Sequence, residues 1–263
     1  LDKKLSLTEI FSEEVLILAK AYPLPGAKHG ETVCCAGVTR EGQWRRQYPI
    51  PFRRLKEKFD RWEWIEYKYK LPDPSQDKRT ESRRVQENTI FPKGKIKESE
   101  KSRFLEKVIV PSTRHASELG MSLALVRPRN IKLKIIKKKP EELKEESDHY
   151  KEVGRQRGLF DSRDGQELKS ITPCPYKFIF SWTDAEGKSH QNISEDWEIP
   201  AMFHNLCPKY GEKEVLKTIR LRFEEEYPKR GVVFAMGTHS RWSDTWLLIG
   251  IIRLNETEQD SLF

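Results

Sequence analysis

The amino-acid sequence predicts an α+β fold that is rich in β-strand, with helices inserted between the strands. Three observations predict it. Short apolar or alternating runs recur along the chain and are bounded by Pro or Gly. Strand and helix do not alternate regularly, which argues against a doubly wound α/β sheet. The 263 residues include 7 Trp, 8 Tyr and 12 Phe, more rings than disordered chains carry, and a chain of this length buries a core without staples.

The elements follow in order. Residues 15–22 (VLILAKAY) read as a buried strand, ended by Pro23 and Pro25-Gly26. Residues 31–39 and 43–50 are the next two strands, joined by a turn at Glu41-Gly42. Pro51 opens a helical turn, PFRRLKEKF. Residues 62–70 alternate, with Trp62, Trp64, Glu66 and Lys68 on one face and Glu63, Ile65, Tyr67 and Tyr69 on the other. Residues 71–97 are polar and hold three Pro, which predicts a long, partly mobile loop. Residues 98–119 are helical and broken at Pro111. Residues 121–127 and 130–137 are strands, the second setting Ile131, Leu133 and Ile135 against Lys132, Lys134 and Ile136.

Residues 140–157 form a polar helix with little apolar stripe, and 158–173 read as loop. Residues 176–183 (YKFIFSWT) are a strong strand closed by Glu186-Gly187. Residues 211–227 are the best helix, with Val215, Ile219, Leu221 and Phe223 on its apolar side. Residues 231–236 and 244–254 close the chain as strands. Short strands with one inserted helix suit small barrels of the OB type. The expected architecture is two small OB-like barrels, or a barrel plus a smaller α+β domain. The expected division is a basic barrel domain over 1–139 and an acidic α+β domain over 140–263.

That division rests on charge. The formal net charge is +8, yet residues 40–139 hold 28 basic and 13 acidic side chains, net +15. Residues 140–263 hold 17 basic and 23 acidic, net −6. Such a field attracts polyanions. Residues 43–70 interleave rings with cations, the composition of a single-strand binding surface. The expected nucleic-acid contacts are Trp44, Arg45, Arg46, Arg53, Arg54 and Trp64. To these are added Arg83 and Arg84 in the loop, and a second cluster of Arg127, Arg129, Lys132, Lys134, Lys137, Lys138 and Lys139. In a strand Arg45 and Arg46 point to opposite faces, so one of the two engages. The bland reading makes the rings core and the cations a solvated face.

The stretch Gly30-Glu31-Thr32-Val33-Cys34-Cys35-Ala36-Gly37-Val38 leads across Gly42 to Trp44-Arg45-Arg46. It resembles the opening of the dual-OB domain proteins of prokaryotes, where a Cys-x-Ala-Gly strand is followed by a turn Gly and a Trp-x-Arg strand. Cys35 departs from the apolar residue usual between Cys and Ala-Gly. The resemblance implies two β-barrels and nucleic-acid handling in an antiviral or restriction system. It carries across no catalytic residue.

No nucleotide loop, zinc-protease or nucleophile-elbow motif is present. Glu66-Tyr67-Lys68 and Glu167-Leu168-Lys169 spell the Glu-x-Lys of metal-dependent nucleases but lack a partner Asp. His190, Asp196, Glu198 and His239 are the loose catalytic candidates, and the bland reading has the acids capping the helix near 200 or pairing with Arg241. His204 and Cys207 share a helix face, with Cys174 as a third ligand candidate, too few for zinc. No cofactor and no metal are expected. Four cysteines, no apolar run of membrane-spanning length and no secretory leader point to a reduced, cytoplasmic setting. The expectation is a non-catalytic nucleic-acid-binding subunit of a prokaryotic defence complex. Its acidic, Trp-rich C-terminal part (Trp182, Trp197, Trp242, Trp246) would dock a protein partner. The alternatives are a metal-dependent nuclease and a protein–protein adaptor that never touches nucleic acid.

Overall fold

The computed structural model describes residues 8–22, 24–26, 30–51, 55, 57–158, 172–239 and 242–255. Its N-terminal half is a closed barrel. Strand β1 (Phe11–Lys20) is followed by a short β2 (Leu24–Gly26), β3 (Gly30–Val38), β4 (Trp44–Ile50), β5 (Glu63–Lys70), β6 (Ser82–Val85) and β7 (Phe91–Lys95). β1 pairs antiparallel with β3 and with β5, β3 with β4, and β5 with β6; β4 runs parallel to β6. The circuit β1-β3-β4-β6-β5-β1 closes on itself as an OB-like five-stranded barrel. β2 lies on β3 and β7 on β5, outside the circuit. Alternation fills the interior with Val15, Ile17, Cys35, Ile50, Ile65 and Tyr67, and Phe59 joins them from the segment before β5, all buried. Gly42 turns the β3–β4 hairpin at φ +85°, a conformation that a side chain disfavours.

The C-terminal half repeats the pairing order. Helix α1 (Glu98–Glu106), β8 (Ile109–Val110) and α2 (Thr113–Glu118) lead into β9 (Leu123–Val126) and β10 (Arg129–Lys137). Pro128 and Asn130, at φ +54°, bend what is otherwise one long strand. Helix α3 (Pro140–Gly158), β11 (Tyr176–Thr183), β12 (Ser189–Ile193), α4 (Glu198–Tyr210), α5 (Glu212–Leu221), β13 (Val232–Thr238) and β14 (Trp246–Arg253) follow. β10 pairs with β11, β11 with β12, β14 with β13 and β13 with β9, all antiparallel. A parallel bridge, Ser194↔Leu248, joins the end of β12 to β14. Counting β9 and β10 as one bent strand, the order is that of the first barrel, with α4 and α5 inserted between its third and fourth strands. Phe180 packs edge-on against Phe223 and Phe234 in the core, and Trp182 against Phe234.

The two halves share a third apolar layer. Leu16, Leu18, Ala36, Val38, Trp44 and Trp64, on the outside of the first barrel, meet Leu123, Leu125, Val233, Ala235, Ile249 and Ile252. At Gly250 a Cβ would stand 2.9 Å from the Cβ of Ala19, so the two sheets approach too closely there for a side chain at this position.

Two expectations change. Residues 71–97 are not one long loop, because β6 and β7 lie within them. The sheets divide well before residue 139, since β8, β9 and β10 pair with C-terminal strands rather than with the barrel. The expected helical turn after Pro51 and the loop at 158–173 fall largely outside the described residues. All four cysteines are free thiols. Among the described residues no helix is long and apolar enough to cross a membrane.

Candidate nucleic-acid interface

The first expected surface folds inward. Trp44 and Trp64 are core residues of the layer between the halves. Arg45 points into the barrel mouth, where its Nε lies 2.7 Å from Glu13. Arg83 reaches the same carboxylate at 3.2 Å, and the Tyr67 hydroxyl donates to it at 2.7 Å. Gln47 Nε2 donates to the Tyr67 oxygen at 3.1 Å. Burial, with the Glu13 charge beside it, pushes the Tyr67 phenol well above its ordinary range. β1, β4, β5 and β6 each turn a polar side chain to one end of the barrel, and these engage one another, with the Gln47 Oε1 left without a hydrogen-bond partner among the described residues.

Arg46 takes the opposite face, as alternation requires, and is covered by the C-terminal half. Its Nη2 donates to the Ser122 carbonyl at 3.1 Å, while Ser122 donates through N and Oγ to Glu81 at 2.8 and 2.9 Å. Burial lowers the Arg46 pKa, with Cys34 and Glu81 opposing and Arg79 adding to the fall. So Trp44, Arg45, Arg46, Trp64 and Arg83 are corrected from exposed contacts to internal structure. The cause is closure of the barrel on one side and docking of the second half on the other. Among the described residues of this group Arg84 alone is exposed. Arg53 and Arg54 lie outside the described residues.

The second cluster behaves differently. β11 buries Tyr176, Phe178, Phe180 and Trp182 and turns Lys177, Ile179, Ser181 and Thr183 outward. Its neighbours follow in register. Lys132, Ser181 and Gln191 form one row; Lys134, Ile179 and Ile193 form the next; Arg129, Thr183 and Ser189 lie at one end, Ile136 and Lys177 at the other. None of these positions is a carboxylate or a ring. Arg129, Lys132 and Lys134 are exposed and make no ion pair with another described residue, and Lys139 beyond them is likewise exposed. The rest of the run is engaged: Arg127 with Glu106 at 2.6 Å, Lys137 with Glu212 at 3.9 Å, and Lys138 with Glu146 at 2.8 Å. Lys177 bonds Glu142 on α3 at 2.8 Å. The alternation in NIKLKII is the signal that placed these lysines outward.

The loose catalytic set is not assembled. Asp196 is buried, with Arg61 Nη2 at 3.0 and 2.9 Å from its two oxygens and the Ile251 amide donating at 2.7 Å. It also accepts from the Glu198 amide at 3.0 Å, at the start of α4. Glu198 pairs with Arg61 Nε at 3.0 Å. Asp196 therefore holds the first amide of α4, and both acids clamp Arg61 of the first half; Arg241 lies outside the described residues. Arg61 is a residue that sequence reasoning missed. Nothing in a lone Arg beside Trp62 announces a partner 135 positions away.

His190 bonds Asp184 at 2.7 Å and stacks on Trp182 at 4.3 Å. Burial acts to raise the Asp184 pKa, but hydrogen bonds from His190 and the Lys188 and Glu186 amides outweigh it and hold the carboxyl below its ordinary value. His239 stacks on Trp242 in the turn between β13 and β14. Glu66 pairs with Lys93, and Glu167 lies outside the described residues. Among the described residues no three His, Cys, Asp or Glu side chains gather as metal ligands, so His204, Cys207 and Cys174 do not form a site either. Of the C-terminal tryptophans, Trp182 is buried, Trp197 and Trp246 are half-buried, and Trp242 is exposed.

Comparison with known families divides the chain where the sheets divide. Residues 11–111 match the family described as Domain of unknown function (DUF8758), which takes in the first barrel. Residues 107–263 match the one described as Domain of unknown function (DUF8757), which takes in the second strand circuit. No curated protein matches the chain. The second match spans more than half of the sequence, and the protein belongs to the family described as Domain of unknown function (DUF8757).

Proposed function

We propose that the chain is a nucleic-acid-binding protein that grips the phosphate backbone on the outward face of the β10–β11–β12 sheet. One observation carries this reading: Arg129, Lys132 and Lys134 stand along one strand, unpaired among the described residues, on a face whose outward positions hold no carboxylate. Cations two residues apart on one side of a strand are roughly 7 Å apart, close to the separation of successive phosphates. Ser181, Thr183, Ser189 and Gln191 beside them supply hydrogen-bonding groups for phosphate and sugar oxygens. The formal charge of +8 draws a polyanion toward the molecule.

The binding mode differs from the ring-and-cation surface expected over residues 43–70. On this sheet face affinity comes from charge and hydrogen bonding, which makes it strongly salt-dependent. The repeated barrel order is compatible with the resemblance to the dual-OB domain proteins of prokaryotes, and the place in a defence complex that the resemblance implies is kept as part of this proposal. The acids that a nuclease would need for metal are committed to Arg61.

The test is filter binding with matched single- and double-stranded DNA and RNA, with and without Mg²⁺, between 50 and 200 mM salt. Wild type retains probe uncut, and retention falls steeply with salt. A K132E/K134E double variant loses most retention at every salt concentration while its unfolding midpoint stays put. Retention that ignores salt, or a double variant that binds like wild type, refutes the assignment.

A further inference from the structure

Trp242 is 63% exposed, although Trp44, Trp64 and Trp182 are buried. Its indole is not a loose appendage. The His239 ring lies 4.5 Å away at 26°, a stack that covers one face of the indole. The turn is tied at its base, where the His239 amide donates to the Thr245 carbonyl and the Thr245 amide to the Trp242 carbonyl, each at 3.1 Å. Arg79 of the first barrel donates to the Thr238 carbonyl at 2.8 Å and is itself held by Asp77, so the root of the hairpin is anchored across the two halves. A ring presented this way loses little conformational freedom when it meets a ligand.

The surroundings narrow what that ligand is. Ser243, Asp244 and Thr245 are exposed and polar, and no other large exposed apolar side chain lies among the described residues of this turn. A protein hot spot is ringed by contacts that exclude water. Insertion into a lipid surface calls for an apolar face rather than one ring. A nucleobase needs a flat π-face in a polar setting, and a stack of two rings extends naturally to a third. The turn also leads into the strand beside that sheet. Asn192, on the buried side of β12, donates to the Trp246 carbonyl at 3.0 Å, and Ser194 bridges Leu248, so β14 begins against β12, the outer strand of the sheet.

We propose that the Trp242–His239 pair is a stacking site for one unpaired base of the nucleic acid held on the β10–β11–β12 face. This rests on the nucleic-acid reading above and sharpens it: the preferred ligand has an unpaired segment. The experiment compares wild type, Trp242→Ala, Trp242→Phe and K132E/K134E on three probes of equal length: a single-stranded thymidine oligomer, the same backbone without bases, and a blunt duplex. Trp242→Ala weakens binding of the thymidine oligomer roughly tenfold. It leaves the abasic strand and the duplex unchanged, and Trp242→Phe keeps most of the affinity. Intrinsic fluorescence is quenched when wild type binds the thymidine oligomer, and the quench is lost in Trp242→Phe. Equal losses on all three probes, or none on the thymidine oligomer while K132E/K134E fails on every probe, overturn the stacking site and leave the phosphate face standing. Failure of wild type to hold any probe overturns both.

Discussion

Two sets of cations in this molecule have opposite fates. Arg45 and Arg83 are turned into the first barrel and Arg46 is covered by the second half, and they are engaged by Glu13, Ser122 and backbone carbonyls. Arg129, Lys132 and Lys134, on the bent strand of the second circuit, face solvent and make no ion pair among the described residues. Arg45 and Arg46 of the first set lie in the sequence beside Trp44 and Tyr48, which looks like a binding surface. The second lies among isoleucines and looks like an ordinary half-buried strand. The difference teaches that a cation is available to a ligand only where its own fold leaves it both exposed and without an internal partner. Two guanidinium groups on one carboxylate inside a barrel hold strands together, and a polyanion cannot reach them.

The comparison breaks or sharpens in four variants. The largest effect belongs to Arg61→Ala, which leaves the buried Asp196 carboxylate without its partner. Loss of one member of such a pair costs about 3–5 kcal/mol, read as a lower urea midpoint. A loss under about 1 kcal/mol would mean that the clamp between the halves is not structural. Glu13→Gln comes next, because it strips the shared counter-charge from Arg45 and Arg83. We expect about 2–3 kcal/mol of destabilisation, with nucleic-acid affinity measured on the folded fraction unchanged. Tighter binding in that variant would show that the barrel-mouth arginines can be recruited after all.

Lys132→Ala with Lys134→Ala inverts the pattern. Stability stays within about 0.5 kcal/mol, and the slope of log affinity against log salt becomes shallower by roughly 1.4–1.8. A full salt slope in that variant moves the contact surface elsewhere. The smallest effect is expected for Arg84→Ala, the exposed exception in the first barrel. It alters neither melting temperature nor affinity measurably. If it weakens binding as much as Lys132→Ala alone, the interface spans both halves.

How much was legible follows the physics of burial. VLILAKAY, YKFIFSWT and the closing strand around LLIGII announce themselves because buried strands need apolar side chains at every inward position. β6 does not. Its inward position at Arg83 meets Glu13, so a strand of the closed barrel reads in sequence as polar loop. The division near residue 110 is hidden for a related reason. Charge changes sign near 139, but β9 and β10 are joined to the second half by hydrogen-bond ladders that composition does not record. The metal-like set fails because spacing brings Asp196 and Glu198 together without showing that Arg61 sits between them.

By itself the sequence determined the class of fold, most of its strands and the outward lysines of NIKLKII, because alternation is a local property that every strand must obey. Only the tertiary structure decided which cations remain available. Whether an arginine meets a carboxylate or water depends on what the rest of the chain lays over it. Glu13, Ser122 and Asp196 lie up to 135 positions from the arginines they hold.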